Sequence, residues 1–446
     1  MDYVIMAGQL MLSLSILIIL HELGHFLPAK WFGTRVEKFY LFFDPWFSLF
    51  KVKKGETEYG IGWLPLGGYV KIAGMIDESF DTEQMKGEPQ EWEFRAKPAW
   101  QRLIIMLGGV TVNFILGFFI FGMILWVYGE EYLPAENAKY GIYADSLGQE
   151  MGLRNGDYIL SVNGKPFDKF SDRMILREVI FNDATRMQVR RDGQELTIPI
   201  DPKWVGILSS YENKDKRLFI ARFPFVAGEV MKGYPAEKSG MQRGDSIVAL
   251  NGEPTPFFDI FREKLELMPN TEVGVSVIRG GHERHELSIV ANDDGQIGVL
   301  PFGPDYFFET RRQEYTFAEA MPEGVVRGYQ FLADQIKAFG QMFKGKVKPS
   351  DSLGGFGSIG KMFGAEWEWE HFWRMTAILS LILAFMNLLP IPALDGGHVM
   401  FLLYEVVTGR KPSDKFMEYA TLVGFILVIA LVLYANGLDV LRGIFR

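Results

Sequence analysis

The stretch "LIILHELGHFLPAK", residues 17–30, is the most informative part of the sequence for the fold, because it joins an apolar run to three ionisable residues. From Val4 to Leu20 the chain carries no charged side chain, and His21, Glu22 and His25 follow directly. An apolar run of this length predicts a helix that spans a membrane. Ionisable side chains at membrane depth cost about 2.5–3.5 kcal/mol each, so their presence indicates a functional site.

The composition excludes several classes of protein. The chain has 446 residues, of which 48% are hydrophobic, and a formal net charge of −9. This acidic balance argues against a nucleic-acid partner. The sequence has no cysteine, which excludes disulfide bonds and thiolate metal sites.

Four segments are long and apolar enough to cross a bilayer, at about 4–27, 101–128, 376–404 and 416–435. The loop between the first two segments and the short loop between the last two are both rich in lysine and arginine. By the positive-inside rule both loops are cytoplasmic, which places both termini and the long 129–370 segment outside. The sequence therefore predicts a polytopic α-helical membrane protein with four transmembrane helices.

The long outer segment contains an internal repeat. "GLRNGDYILSVNGKP" begins at Gly152, and "GMQRGDSIVALNGEP" begins 88 residues later at Gly240, with seven of fifteen positions identical. In each copy "GD" precedes a short alternating strand, and "NG" predicts a tight turn that needs positive φ. These strings resemble circularly permuted PDZ domains of bacterial envelope proteases, which implies two small α+β domains at about 129–216 and 217–305.

Three further segments carry predictions about local structure. Residues 58–74 combine alternating apolar residues with proline and glycines, which predicts a β-hairpin lying against or in the membrane. Residues 315–343 have large apolar residues at helical spacing, which predicts an amphipathic helix at the membrane surface. The glycine-rich residues 344–364 are predicted to form a loop.

The histidines of the opening stretch have the spacing of metal ligands. On a helix His21 and His25 lie one turn apart on the same face, so two imidazole nitrogens can bind one ion. Glu22 lies beside the first ligand, within reach of a water molecule on the metal. This is the H-E-x-x-H pattern of zinc hydrolases, in which zinc lowers the pKa of its water to about 7. The sequence therefore predicts one bound Zn²⁺, with Glu22 as the general base.

A catalytic zinc usually has three protein ligands, so a third must come from elsewhere in the chain. Asp395 is the only acidic residue of the third apolar segment, and Pro390 and Pro392 predict a broken helix just before it. His398 is a rival third ligand. We favour Asp395, and interpret His398 as a helix-interior histidine bonded to a carbonyl or another side chain.

Together these motifs resemble the site-2 family of intramembrane zinc metalloproteases, in its RseP-like subgroup with tandem PDZ domains. The resemblance rests on "HELGH" at 21–25, on "NLLPIPALDGG" at 387–397 and on "PLGGYV" at 65–70. It implies zinc ligation by His21, His25 and Asp395 and catalysis by Glu22. It also implies substrate contacts, at Asn387, Pro392, Gly67 and Gly68.

The resemblance also implies substrates, partners and a location. The substrates would be single-span membrane proteins, such as anti-sigma factors already trimmed by an upstream site-1 protease, and remnant signal peptides. The location would be the bacterial inner membrane, in contact with lipid, with the PDZ-like domains on the periplasmic side and the zinc near the cytoplasmic side. The predicted organisation comprises the first two helices and a β-loop (1–128, with the loop at about 37–74), the two PDZ-like domains (129–216 and 217–305), an amphipathic helix with a glycine-rich linker (306–370), and the last two helices (371–446).

Two questions stay open at this point. The PDZ-like pair could capture peptide C-termini, exclude bulky outer domains from the active site, or act as packing modules without ligands. The alternative to a protease is a non-catalytic membrane scaffold that binds partners through these domains. A structural zinc site normally has four ligands, whereas the sequence offers three good candidates and would leave Glu22 without a role.

Overall fold

The computed structural model describes residues 2–65, 67–75 and 87–444. Helices cover more of this part of the chain than strands do. Their bounds are α1 (Asp2–Trp31), α2 (Ala99–Tyr128), α3 (Ser146–Glu150), α4 (Asp172–Asn182), α5 (Lys203–Ser209), α6 (Pro235–Lys238), α7 (Phe258–Glu266), α8 (Pro304–Phe307), α9 (Phe317–Phe343), α10 (Pro349–Ser352), α11 (Phe356–Met362), α12 (Trp369–Leu388), α13 (Asp395–Thr408) and α14 (Asp414–Ile444).

The strands form two four-stranded sheets in the repeats, one beside the first helix, and several two-stranded ribbons. Their bounds are β1 (Val36–Leu41), β2 (Phe43–Lys54), β3 (Thr57–Leu64), β4 (Tyr69–Ile72), β5 (Glu130–Tyr132), β6 (Ile142–Ala144), β7 (Tyr158–Val162), β8 (Lys165–Pro166), β9 (Arg186–Arg191), β10 (Gln194–Pro199), β11 (Phe219–Ala221), β12 (Ala227–Val230), β13 (Ser246–Leu250), β14 (Glu253–Pro254), β15 (Glu272–Arg279), β16 (Glu283–Val290), β17 (Val299–Pro301) and β18 (Arg311–Gln313).

The chain divides into two compact units. The first unit, called here the helical unit, comprises residues 1–129, 314–336 and 353–446. The second, called the repeat unit, comprises residues 130–313 and 337–352. Helix α9 is continuous and contributes residues to both.

Four helices of the helical unit are long and apolar enough to cross a membrane, as predicted: Asp2–Trp31, Ala99–Tyr128, Trp369–Leu388 and Lys415–Gly443. The third predicted segment is interrupted, because α12 ends at Leu388 and α13 begins only at Asp395. Pro390 and Pro392 lie in this break, as their missing N–H groups and fixed φ require. The predicted broken helix is therefore confirmed.

The β-loop forms a four-stranded sheet in the order β2-β3-β1-β4. The predicted hairpin over 58–74 is wrong, because β1 lies between β3 and β4 and pairs with both. The hairpin in this sheet joins β2 to β3 at Gly55, which has a φ of +64°. The core explains the insertion of β1: Val36 and Tyr40 are fully buried, and Tyr40 packs so closely on Gly60 that no side chain fits there.

Two further predictions need adjustment. The predicted amphipathic helix exists as α9, and Gly324 packs against Gly122 of α2, so this part of α9 contacts another helix. The predicted glycine-rich loop contains the short helices α10 and α11. Side chains of α14 explain α11, since Asn436 Oδ1 accepts a hydrogen bond from Phe356 N and Asp439 Oδ2 accepts one from Ser358 N. Such caps come from residues 80 and 81 positions away and leave no local pattern.

The repeat unit shows the predicted duplication. The two sheets have the equivalent orders β10-β9-β7-β8 and β14-β13-β15-β16. The predicted "NG" turns join β7 to β8 and β13 to β14, with φ of +51° at both Asn163 and Asn251. This positive φ is the conformation that such two-residue turns require.

Each repeat has its own hydrophobic core, but the first core does not end at the predicted boundary of 216. Leu218 and Phe219 belong to it, and so does Val347 from beyond α9. Strand β11 explains this extension, because it crosses from the start of the second repeat to pair with β6 of the first.

Candidate metal centre

The two histidines of α1 lie where their spacing predicted. Their imidazole rings have centroids 4.9 Å apart, and His21 Nε2 lies 3.2 Å from His25 Nε2. Both side chains are largely buried, with exposed fractions of 12% and 9%. Two nitrogens with lone pairs therefore point at one small volume within the helical unit.

Asp395 reaches the same volume from the start of α13. Its Oδ2 lies 3.2 Å from His21 Nε2 and 3.4 Å from His25 Nε2. The break before α13 makes this approach geometrically feasible, since Gly396 and Gly397 pack onto the backbone of 388–392 with no room for a Cβ. Within the described residues, His21, His25 and Asp395 are the group of three whose ligand atoms lie within 4.8 Å of one another.

The spacing of these three atoms fits zinc. Zinc–ligand bonds of about 2.0–2.1 Å in a tetrahedron place the ligand atoms about 3.3 Å from each other. The three observed distances are 3.2, 3.2 and 3.4 Å. In addition, Asp395 Oδ2 is buried without a hydrogen-bond partner, a costly state for a carboxylate that a metal ion would relieve. The donor set of two imidazoles and one carboxylate leaves a fourth position for water.

Backbone and side-chain groups behind the histidines hold their rings. His25 Nδ1 lies 2.8 Å from the Ile105 carbonyl oxygen and donates to it, which leaves the lone pair on Nε2 for a metal. The Asn113 amide lies 3.2 Å from His21 Nδ1, and Asn113 Oδ1 has no other partner. Because the two ends of an amide are assigned from such contacts, we orient Asn113 so that Oδ1 accepts from His21 Nδ1–H. Both rings then present Nε2.

Glycines let α2 approach the metal-binding turn of α1. Gly24 and Gly108 lie in backbone contact, and a Cβ at Gly109 would overlap the imidazoles of His21 and His25. Neither Asn113 nor Gly109 was among the site residues expected from the sequence. Their only signal was the "GGVTVN" stretch at 108–113 within an apolar helix.

Glu22 lies between this centre and the edge of the β-sheet. Gly68 contacts the Glu22 side chain and Ile18, and the backbone of Val70 hydrogen-bonds to the Glu22 carboxylate. Strand β4, which contains Val70, is the last strand of its sheet. Among the described residues the outer edge of β4 has no strand partner, and this edge lies beside Glu22.

The predicted substrate-binding residues fall into two groups. Asn387 Nδ2 lies 3.4 Å from His21 Nε2, and Gly68 contacts Glu22, so both border the metal centre. Pro392 lies in the helix break, with its carbonyl packed against Gly424 of α14, and Gly67 lies against the ring of Phe43. His398 is absent from the metal-binding group and lines a neighbouring cavity.

Three converging ligand atoms with a glutamate beside them are the arrangement of a metal-dependent hydrolase, and the helical unit that holds them has four helices apolar enough to cross a membrane. Residues 9–431 match the model of peptidase family M50. The chain therefore belongs to peptidase family M50, and the predicted protease class and zinc dependence are confirmed.

Several relatives are similar over nearly their whole length. A "Regulator of sigma-E protease RseP" of Escherichia coli is 29% identical over 446 residues, covering 95% of this chain and 96% of the relative. A "Regulator of sigma E protease" of Haemophilus influenzae is 26% identical over 460 residues, covering 99% and 100%. A Neisseria meningitidis protein, named as a candidate zinc metalloprotease, is 27% identical over 455 residues, covering 96% and 97%.

Proposed function

We propose that this protein hydrolyses peptide bonds inside transmembrane segments, with one Zn²⁺ held by His21, His25 and Asp395. The single observation that carries the proposal is the convergence of these three ligand atoms within 4.8 Å of one another, between helices that are apolar enough to lie in a bilayer. Three ligands and a free position are the pattern of a catalytic rather than a structural zinc site.

The roles of the residues follow from their positions. When bound, zinc supplies a Lewis acid and lowers the pKa of water. Glu22 accepts the proton of the attacking water as the new C–O bond forms, and delivers a proton to the amine as the C–N bond breaks. Asn113 and the Ile105 carbonyl keep the two imidazoles oriented throughout.

Strand β4 accounts for how a helical substrate is made accessible. A transmembrane helix keeps its carbonyls in hydrogen bonds, and unwinding it in lipid leaves those groups unsatisfied at a high cost. The outer edge of the strand Tyr69–Ile72, which has no strand partner among the described residues, would offer replacement backbone hydrogen bonds by strand addition beside Glu22. Gly68 leaves room for the substrate, and Asn387 faces the same space. Gly67 shapes the segment before β4, and Pro392 shapes the break before α13.

The substrates are single-span membrane proteins, namely anti-sigma factors trimmed beforehand by a site-1 protease, and remnant signal peptides. The names of the relatives, regulators of sigma E, support this assignment within an envelope stress response. We place the protein in the bacterial inner membrane, with the repeat unit in the periplasm. We further assign the repeats as PDZ-like domains that limit access of bulky outer domains or capture trimmed ends.

The test compares cleavage of a tagged single-span substrate, lacking most of its outer domain, by wild type and Glu22→Gln in liposomes. We expect equal zinc content in both proteins and a rate for Glu22→Gln lower by at least about a hundredfold, because general-base catalysis contributes about 10²–10⁴. Glu150→Gln, an exposed glutamate of α3, is the matched control and should cleave normally. Equal cleavage by Glu22→Gln, or zinc without cleavage of any substrate by wild type, would overturn the proposal.

A further inference from the structure

A cavity of about 70 Å³ lies in the helical unit next to the metal centre and has no role in the chemistry described above. Its walls include the residues that follow β4 and residues near the starts of α13 and α14. The residues that matter here are Gly74, Met75, His398, Leu402, Met417 and Thr421.

The walls of this cavity offer apolar rather than charged recognition. Arg102 Nη2 and Glu405 Oε1 form an ion pair of 2.5 Å, with exposed side-chain fractions of 9% and 18%. Arg95 Nε likewise donates to Glu93 Oε2 at 2.5 Å. Because these charges satisfy one another, a charged ligand gains little from them. Lys411 and Glu418, the other charged residues of the lining, are exposed to solvent, and much of the remaining lining is apolar, including Phe401, Leu402 and Met417.

The size of the cavity selects among apolar groups. A dry apolar cavity of about 150 Å³ accommodates a benzene ring. This cavity has less than half that volume, so it excludes an aromatic side chain. A branched aliphatic group of valine, leucine or isoleucine fits, and filling it would remove apolar surface from water.

The position of the cavity connects it to the bound substrate. His398 lies three residues after Asp395, a rise of about 4.5 Å along α13. Gly74 and Met75 follow β4 after one intervening residue, Ala73, and the outer edge of β4 lies beside Glu22. A substrate strand paired with β4 therefore runs from the scissile bond towards the cavity mouth, with one of its side chains at the opening.

We infer that this cavity is a specificity pocket that receives one branched aliphatic side chain of the substrate, within six residues of the cut. The inference rests on the proposed function and goes beyond it, because it assigns a side-chain preference to α13 and α14. It also gives residues outside the metal centre, Thr421 and Met417 above all, control over which sequences are cleaved.

The first test fills the pocket. Thr421, exposed to 7%, lines the cavity, whereas Val423 on the same helix is 65% exposed and does not. Thr421→Phe and Val423→Phe thus add similar bulk inside and outside the pocket. The probe is a tagged single-span substrate with its cut site mapped by mass spectrometry, and alanine, leucine or phenylalanine placed at each of six positions on either side of the cut.

At one position we expect wild type to prefer leucine over alanine by at least about tenfold in kcat/KM, as hydrophobic pockets do. Thr421→Phe should reduce this ratio to near one while it still cleaves the alanine substrate, and Val423→Phe should keep the wild-type ratio. An unchanged ratio in Thr421→Phe, or the same loss in both variants, would overturn the assignment.

A second test enlarges the pocket, so the inference does not depend on one variant's folding. Met417→Ala should let phenylalanine be accepted at the position where wild type rejects it. Met400→Ala, at a 52% exposed position of α13, is the control and should not. Continued rejection of phenylalanine by Met417→Ala counts against the pocket. If wild type shows Glu22-dependent cleavage without any size preference, the inference fails while the proposed function stands; if no cleavage depends on Glu22, both fail.

Discussion

Buried aspartates in the two units of the molecule have opposite surroundings. In the repeat unit, Asp245 is fully buried and accepts two hydrogen bonds of 2.8 Å from Arg279 and one from Gln242 N. Asp157 repeats this arrangement with Arg191 and Arg154 N. In the helical unit, Asp395 Oδ2 faces only the two nitrogens of His21 and His25 and lacks a hydrogen bond.

The difference separates a structural carboxylate from the one that we propose binds the metal. A buried charge must be paired or hydrogen-bonded, and Asp245 and Asp157 meet this requirement within the protein. Asp395 does not meet this requirement. When His25 Nδ1 carries the proton and donates a hydrogen bond to the Ile105 carbonyl, His25 Nε2 presents a lone pair to Asp395 rather than a proton. An unsatisfied carboxylate between imidazoles is therefore the more informative feature for function.

The largest expected effect comes from removing the carboxylate of Asp395, which lacks a hydrogen-bond partner. Asp395→Ala leaves two ligands where catalytic zinc sites use three, so we expect loss of most bound zinc. Cleavage should fall by at least about a thousandfold, as it does when a member of a catalytic group is removed. Zinc quantification and the liposome cleavage assay measure the two effects.

The control for this prediction is Asp157→Ala in the repeat unit. It should retain full zinc while it destabilises its own repeat, because it leaves Arg191 without its buried partner. If Asp157→Ala lost zinc as readily as Asp395→Ala, the proposed distinction between the two kinds of carboxylate would be wrong.

A smaller effect should come from crowding the histidines without removing a ligand. A Cβ at Gly109 would overlap the rings of His21 and His25, so Gly109→Ala must displace them. We expect zinc affinity to fall by about 10–100-fold, the range seen when groups that orient metal ligands are altered. Competition with a zinc chelator measures the affinity. Gly8→Ala, at a glycine of α1 with nothing within 4 Å, should leave it unchanged.

The sequence was sufficient for the features that depend on periodicity and composition. Four helices apolar enough to cross a membrane, the break at Pro390 and Pro392, and the "NG" turns of the repeats all follow from local rules, and all are present. The convergence of His21, His25 and Asp395 was also predictable, because helical spacing aligns the histidines and a lone acid in an apolar segment needs a partner.

The remaining features depend on contacts between distant residues. Strand β1 separates β3 from β4 because Tyr40 packs on Gly60, and no pattern within 58–74 reveals this. Helix α11 needs caps from Asn436 and Asp439 of α14. Asn113 and Gly109 belong to the metal centre only because α2 touches α1, so single-residue chemistry could not identify them.

The smallest expected effect concerns the hydrogen-bonded carboxylate of Asp245 and the dependence of the stability of the second repeat on pH. Burial alone would raise the pKa of Asp245, but the hydrogen bonds from Arg279 and Gln242 N hold this pKa below its ordinary value. A lowered pKa in the folded state adds stability above the unfolded pKa of about 4, and this stability is lost as the pH falls through the folded value. Acid should therefore weaken the second repeat selectively.

Asp245→Asn removes the charge and keeps one acceptor oxygen, so at pH 7 it should cost about 1.5 kcal/mol, the lower end for hydrogen bonds to charged groups. The difference in thermal stability from wild type should stay constant down to about pH 5 and shrink below about pH 4, where the wild-type carboxylate also becomes protonated. Hydrogen-exchange mass spectrometry on peptides from 246–279 localises the unfolding in the full chain. Asp294→Asn, an exposed position in the same repeat, should show neither effect. If the difference in thermal stability between wild type and Asp245→Asn grew in acid, Arg279 would not stabilise the ionised form of Asp245. The contrast between Asp245 and Asp395 would then fail.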